Sequence, residues 1–188
     1  IDRSKMQFDF VTFTTDKGDY DDEIISMGGK IIPIIASGNI KRMFALRKYL
    51  KQHPEYQIMH SHMLLNIIFN FIAAKMAGVK NRIAHSHNTE NRRYGLVANT
   101  YEKIAKNQIN KLSTSKMSCG IEAASFLFPN QEDVWVFPNG VEVEKLANLQ
   151  ENTANSIFNK KENDIVVLQV GRLSEVKNPF FTLKVAET

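Results

Sequence analysis

The chain has 188 residues, 43% of them hydrophobic and 23% charged, with a formal net charge of +4. This composition is too apolar for intrinsic disorder, and the length suits one full domain with a sizeable core, or one domain plus a stub of another. One cysteine, Cys119, excludes a disulfide framework or a thiolate metal cluster, and no apolar run reaches the roughly 18 residues that cross a bilayer.

Residues 8–13 are rich in aromatic and β-branched side chains and predict a strand. Residues 20–27 predict a short helix closed by Gly28-Gly29, and 30–35 a second strand in which Pro33 points to a sheet edge. Asn39 is placed to cap a helix over 39–52, with Ile40, Met43, Phe44, Leu46 and Leu50 on its apolar face and His53-Pro54 as its stop. A strand over 57–61, a helix over 62–77 closed by Gly78, and a strand over 82–86 follow. A polar loop then leads to a helix over 98–108, a strand over 112–118, a short helix over 121–127 and a strand over 134–137. Residues 143–159 read as partly helical, and the last unit is a strand over 165–170, a loop from Gly171 and a helix from Pro179. Short apolar strands alternating with helices predict an α/β fold, a Rossmann-like parallel sheet with helices on both faces. The polar stretch 151–164 predicts a boundary between a domain over 1–159 and the start of another over 160–188.

Charge is unevenly spread. Residues 1–23 are acidic, whereas 24–89 carry nine lysines and arginines against one acidic residue, Glu55. On the 39–52 helix Lys41, Arg42, Arg47, Lys48 and Lys51 surround Phe44 and Leu50, a pattern compatible with an anionic membrane or with an ordinary wet face. The basic runs lack the aromatic interleaving of a nucleic-acid module, and neither a dinucleotide nor a P-loop glycine fingerprint occurs, so no nucleic-acid partner is expected.

Four of the five histidines fall in two matching triplets, His60-Ser61-His62 and His85-Ser86-His87, each at the end of a predicted strand. Loops at the carboxyl ends of parallel strands line the ligand crevice, and residues two apart share a face of a strand. Three imidazoles would suit zinc, but Glu90 is the only carboxylate nearby, so the reading is of polar crevice residues without a metal. Pro138-Asn139-Gly140 predicts a tight turn. In the run 170–179, Gly171 allows close backbone approach, Arg172 and Lys177 supply cations, and Pro179 opens a helix N-terminus; the set suits a diphosphate or is a solvated charged loop.

These pieces in this order resemble the retaining glycosyltransferases of family 4, with two Rossmann-like domains (the GT-B architecture), and among them bacterial capsular and exopolysaccharide members. The likeness implies transfer of a sugar from a nucleotide diphosphate, a UDP-sugar, to a saccharide or lipid-linked acceptor, without cofactor or metal. It implies that His87 orients sugar hydroxyls as the active-site histidine, with His60, His62, Asn88 and Glu90 along the acceptor cleft. Asn139-Gly140 would enter the interdomain region, and Gly171, Arg172 and Lys177 would hold the donor diphosphate. A cytoplasmic enzyme, peripheral at the inner face of the membrane, is expected. The family's first strand with its glycine-rich loop, and its later pair of glutamates, have no counterpart here, so residues 1–188 alone are expected to be inactive. The rival readings are a sugar-nucleotide epimerase of the same architecture and a non-catalytic saccharide- or membrane-binding domain.

Overall fold

A computed structural model describes residues 2–91, 95–130, 132–141, 143–144, 165, 168–171, 173–174 and 177–186. The chain forms two compact units, Ile1–Asn139 and Gly140–Thr188. The expected boundary at 159/160 lies outside the described residues.

In the first unit β1 (Phe10–Thr12), α1 (Asp21–Ser26) and β2 (Ile31–Pro33) lead into α2 (Gly38–Gln52). Then come β3 (Ile58–Ser61), a 3-10 turn at Leu64–Asn66, α3 (Ile67–Ala77) and β4 (Asn81–Ser86). The unit continues through α4 (Leu96–Leu112), β5 (Ser115–Ser118), α5 (Ile121–Leu127) and β6 (Val134–Val136). The strands form two parallel sheets, β1-β2 and β3-β4-β5-β6, and Pro33 closes an edge strand as expected. This is the Rossmann-like α/β architecture of a parallel sheet flanked by helices.

Two apolar clusters hold it together. One gathers Ile67, Ile68 and Phe71 of α3, Ala105 and Ile109 of α4, and Leu127 of α5 around Ala84 of β4. The other packs Leu46 and Leu50 of α2 and Ala73 and Ala74 of α3 against Ile32 of β2. Helix α3 thus turns large side chains to one neighbour and alanines to the other, which lets α2 approach closely. Burial of a side chain such as Phe71, fully enclosed, contributes about 1.5–3 kcal/mol.

Two expectations shift. Helix 62–77 begins as a 3-10 turn, because Leu64 sits at φ 49 and breaks α geometry until Ile67. Helix α2 begins two residues early, with Ser37 rather than Asn39 at its N-cap; Asn39 instead donates to Asn66 Oδ1 at 3.0 Å. Leu50 of α2 is buried while Phe44 is half exposed, so the two belong to different faces of the helix.

In the second unit the described residues give α6 (Pro179–Ala186), opened by Pro179 as expected. Asn178 caps it, its Oδ1 accepting from Phe181 N–H at 3.3 Å. Of the expected strand 165–170, Ile165 and Leu168, Gln169 and Val170 are described, exposed and unpaired among the described residues; the other two lie outside them. Of the helix expected over 143–159, only Val143 and Glu144 are described, and both are helical. No helix among the described residues is long and apolar enough to cross a membrane.

Candidate functional site

The site is built by the register of two strands. His60 lies opposite Ile83 and Ser61 opposite Ala84 in the β3-β4 ladder. Continuing that register puts His62 beside His85 and His87 one step further, so all four imidazoles share one face of the sheet. The serines between them point the other way, into the helix-covered side, where Ser61 and Ser86 are buried. Ser61 Oγ accepts from Asn70 Nδ2 at 2.9 Å, and Ser86 Oγ donates to the Ala123 carbonyl at 2.7 Å. Each His-Ser-His triplet is therefore one anchoring serine flanked by two side chains of the opposite face.

The rings stack into a compact group. His85 and His87 lie 4.1 Å apart between centroids, and His60 and His85 are near-parallel at 5.3 Å. His60 Nε2 is 3.2 Å from His85 Nδ1, and His62 Nδ1 is 2.8 Å from His87 Nε2. Within each pair one nitrogen donates and the other accepts, so each pair holds its rings in place. Burial, with repulsion from the neighbouring rings, pushes His60 and His85 down to about 4 and lowers His62 as well. His60 and His85 are thus neutral at pH 7, which makes them hydrogen-bonding groups rather than cations. His85 Nε2 is buried with no hydrogen-bond partner among the described residues.

His60, His62 and His85 each offer a nitrogen within 4.8 Å of the others, so these three could hold one transition-metal ion. Of the expected site residues, His87, Asn88 and Glu90 lie exposed just beyond β4. His85 was not among the expected site residues, although it stands at the centre of the cluster; the repeat of the triplet was the signal that could have found it. Asn139 and Gly140 are exposed beyond β6 and straddle the division between the two units.

In the second unit Gly171 lies under Lys177: a Cβ at Gly171 would stand 3.5 Å from Lys177 Cγ. Gln169 Nε2 donates to the Lys177 carbonyl at 2.9 Å, fixing the loop that carries this lysine. Arg172 lies outside the described residues.

The chain is 32% identical, over 99% of its length and 51% of the other's, to a Bacillus subtilis (strain 168) protein named "Putative glycosyltransferase EpsF". This chain is similar to bacterial glycosyltransferases. It is 29% identical to the UDP-Gal:alpha-D-GlcNAc-diphosphoundecaprenol alpha-1,3-galactosyltransferase of Escherichia coli, over 79% of this chain and 40% of that enzyme. It is 28% identical to the capsular polysaccharide biosynthesis glycosyltransferase CapH of Staphylococcus aureus, over 96% of this chain and 50% of that protein. No family model matches. The chain thus spans about half or less of the length of the glycosyltransferases it matches.

Proposed function

We propose that the whole protein is a retaining glycosyltransferase of the GT-B kind, moving a sugar from a UDP-sugar to a saccharide or lipid-linked acceptor in polysaccharide assembly. The observation that carries this reading is the cluster of four stacked imidazoles at the carboxyl ends of β3 and β4. An imidazole can both donate and accept, as recognition of sugar hydroxyls requires, and His60 and His85, neutral at pH 7, do not compete for the donor's phosphate charge. His87, exposed just beyond β4, is the one that orients sugar hydroxyls at the reacting centre; His62, also exposed, holds its ring. His60, Asn88 and Glu90 line the acceptor side. Lys177, above Gly171, offsets charge on the leaving diphosphate together with Arg172, whose role rests on the sequence alone. Stabilising that charge is a main source of rate in group transfer and needs no metal here.

The acceptor named for the E. coli relative is a diphosphoundecaprenol lipid. A lipid-linked acceptor would bring the protein to an anionic membrane surface, and α2 supplies a basic face for that contact. Residues 1–188 by themselves are proposed to be inactive.

The test uses the full-length polypeptide, with release of UDP from a panel of UDP-sugars as the readout. His87→Ala and Arg172→Ala are each expected to lower kcat/KM roughly 100-fold while circular dichroism stays unchanged. Near-wild-type turnover in both folded variants would sink the assignment. A second reading is favoured by the three convergent nitrogens of His60, His62 and His85. If a chelator abolishes turnover and zinc restores it, the cluster holds a metal instead.

A further inference from the structure

The four imidazoles do not stand in equivalent places. His60, His62 and His85 each bring a nitrogen to within 4.8 Å of the others, and His87 falls outside that group. Two imidazole nitrogens bound to one tetrahedral zinc ion, each at about 2.0–2.1 Å, stand about 3.4 Å apart. His60 Nε2 and His85 Nδ1 are already 3.2 Å apart, so little has to move for an ion to replace the proton they share. His62 Nδ1 and His87 Nε2, at 2.8 Å, are too close to serve one ion together.

His85 has a nitrogen to offer. A neutral imidazole carries one N–H and one lone pair. His85 Nδ1 uses one of these on His60, which leaves the other at Nε2, buried without a hydrogen-bond partner among the described residues. When Nδ1 donates, Nε2 is a bare lone pair, which is what a metal ion takes. The strands carrying the rings are fixed from the opposite face by Ser61 and Ser86, so the ligands are held in place before any ion arrives. The group is imidazole alone, with no carboxylate in it. Such a set suits a late first-row divalent ion such as zinc, whereas magnesium and calcium take oxygen ligands. Three ligands leave a fourth position to water, and the exposed His62 gives the ion a way in.

His62 links this group to the rest of the site, because it also makes the hydrogen bond that fixes His87. An ion on His62 Nδ1 removes that bond. An ion on His62 Nε2 forces the ring proton onto Nδ1, and His87 Nε2 can then only accept, with its own proton on the other nitrogen. Either way the ion decides what His87 presents.

We infer that His60, His62 and His85 form a reversible site for a zinc-class divalent ion, and that filling it closes the crevice to sugar hydroxyls. The ion takes lone pairs that the free imidazoles offer to a saccharide, and it releases or re-protonates His87. The inhibitory half of this inference rests on the sugar-transfer reading; the ion site does not.

The site is tested by isothermal titration of zinc chloride into chelator-treated full-length protein. One ion is expected at this cluster, with affinity falling more than about 100-fold in His60→Asn and in His85→Asn, beyond the loss of a mere supporting partner. His53→Asn, which changes the histidine outside the cluster, should keep wild-type affinity. No uptake by wild type, or an affinity that neither cluster variant moves, overturns the site. Circular dichroism checks that the variants fold, and cobalt(II) in place of zinc gives a readout on wild type alone. The visible spectrum of a tetrahedral, imidazole-bound ion is expected, and that of the octahedral aqueous ion counts against the site.

Inhibition is read from UDP release. At zinc about ten times its Kd roughly a tenth of the sites stay free, so wild-type turnover should fall to about a tenth and return on chelation. Whatever turnover His85→Asn retains should not respond to zinc. Unchanged wild-type turnover under zinc, or turnover that chelation abolishes and zinc restores, overturns the inhibitory role. Absence of UDP release from every UDP-sugar sinks the sugar-transfer reading alone, since titration and the cobalt spectrum decide the site without it.

Discussion

A serine between two histidines is a compact instruction for a parallel strand: one side chain to the helices, two to the crevice. Ser86 donates to the Ala123 carbonyl from a fully buried position. Ser86→Ala removes that bond without adding volume and should cost about 1 kcal/mol in a urea denaturation series. The histidines carry a second consequence. In the folded protein His60 and His85 take up protons only near pH 4, held down by burial and neighbouring rings, while unfolded histidines do so near 6.5. Between those values the unfolded state binds more protons, so stability is full above about pH 6.5 and is lost as pH falls toward 4. The double variant His60→Asn, His85→Asn should therefore lose less stability than wild type between pH 7 and pH 5; equal losses in urea midpoint would contradict the depressed values. Both triplets stand in plain view in the sequence, as does the sharing of a face by residues two apart. Their meeting does not, because it depends on β3 and β4 pairing in register across the whole of α3.

At the scale of elements, the order and type of strands and helices were legible because apolar runs and stop residues repeat at the spacing of βα units. The ends were less so. Helix α4 runs to Leu112 rather than 108, since Ile109 is buried in the core and Asn110 Nδ2 bonds both the Lys106 and Leu127 carbonyls, which carries the helix past its expected end. Strand β5 starts correspondingly late, at Ser115. The stop at Gly78 was readable, and its geometry explains why. Gly78 sits at φ 93, with its N–H on the Lys75 carbonyl and Val79 N–H on that of Ala74. A Cβ there would meet nothing within 4 Å, so the cost of Gly78→Ala is backbone strain alone. That cost is about 1–2 kcal/mol, and Gly78→Asn should lose less, because asparagine tolerates the left-handed region. Thermal unfolding of the two variants side by side measures the difference; equal losses would point to packing instead.

For the whole molecule, a net charge of +4 conceals a basic stretch, 24–89, that follows an acidic one, 1–23. Helix α2 concentrates it. Its inner face is committed to Leu46 and Leu50, and its outer face leaves Lys41, Lys48 and Lys51 exposed beside Ile40 at 63% and Phe44 at 49%. Exposed apolar side chains among lysines at helical spacing are what an interfacial helix presents to anionic lipid. The sequence displayed the charges but not which apolar residues stay outside, because one helical wheel serves both the core and the surface. Each lysine near an anionic surface contributes about 1 kcal/mol. Reversing Lys41, Lys48 and Lys51 to Glu removes at least about 3 kcal/mol, roughly a 100-fold loss of partitioning onto phosphatidylglycerol vesicles. Phe44→Ser should weaken binding while leaving its salt dependence intact, since it removes burial and not charge. Cosedimentation of the full-length protein with anionic and neutral vesicles, at low and high salt, separates the two contributions. Equal partitioning on neutral vesicles, or indifference to the triple reversal, would remove α2 from the membrane and leave its lysines as a solvated face.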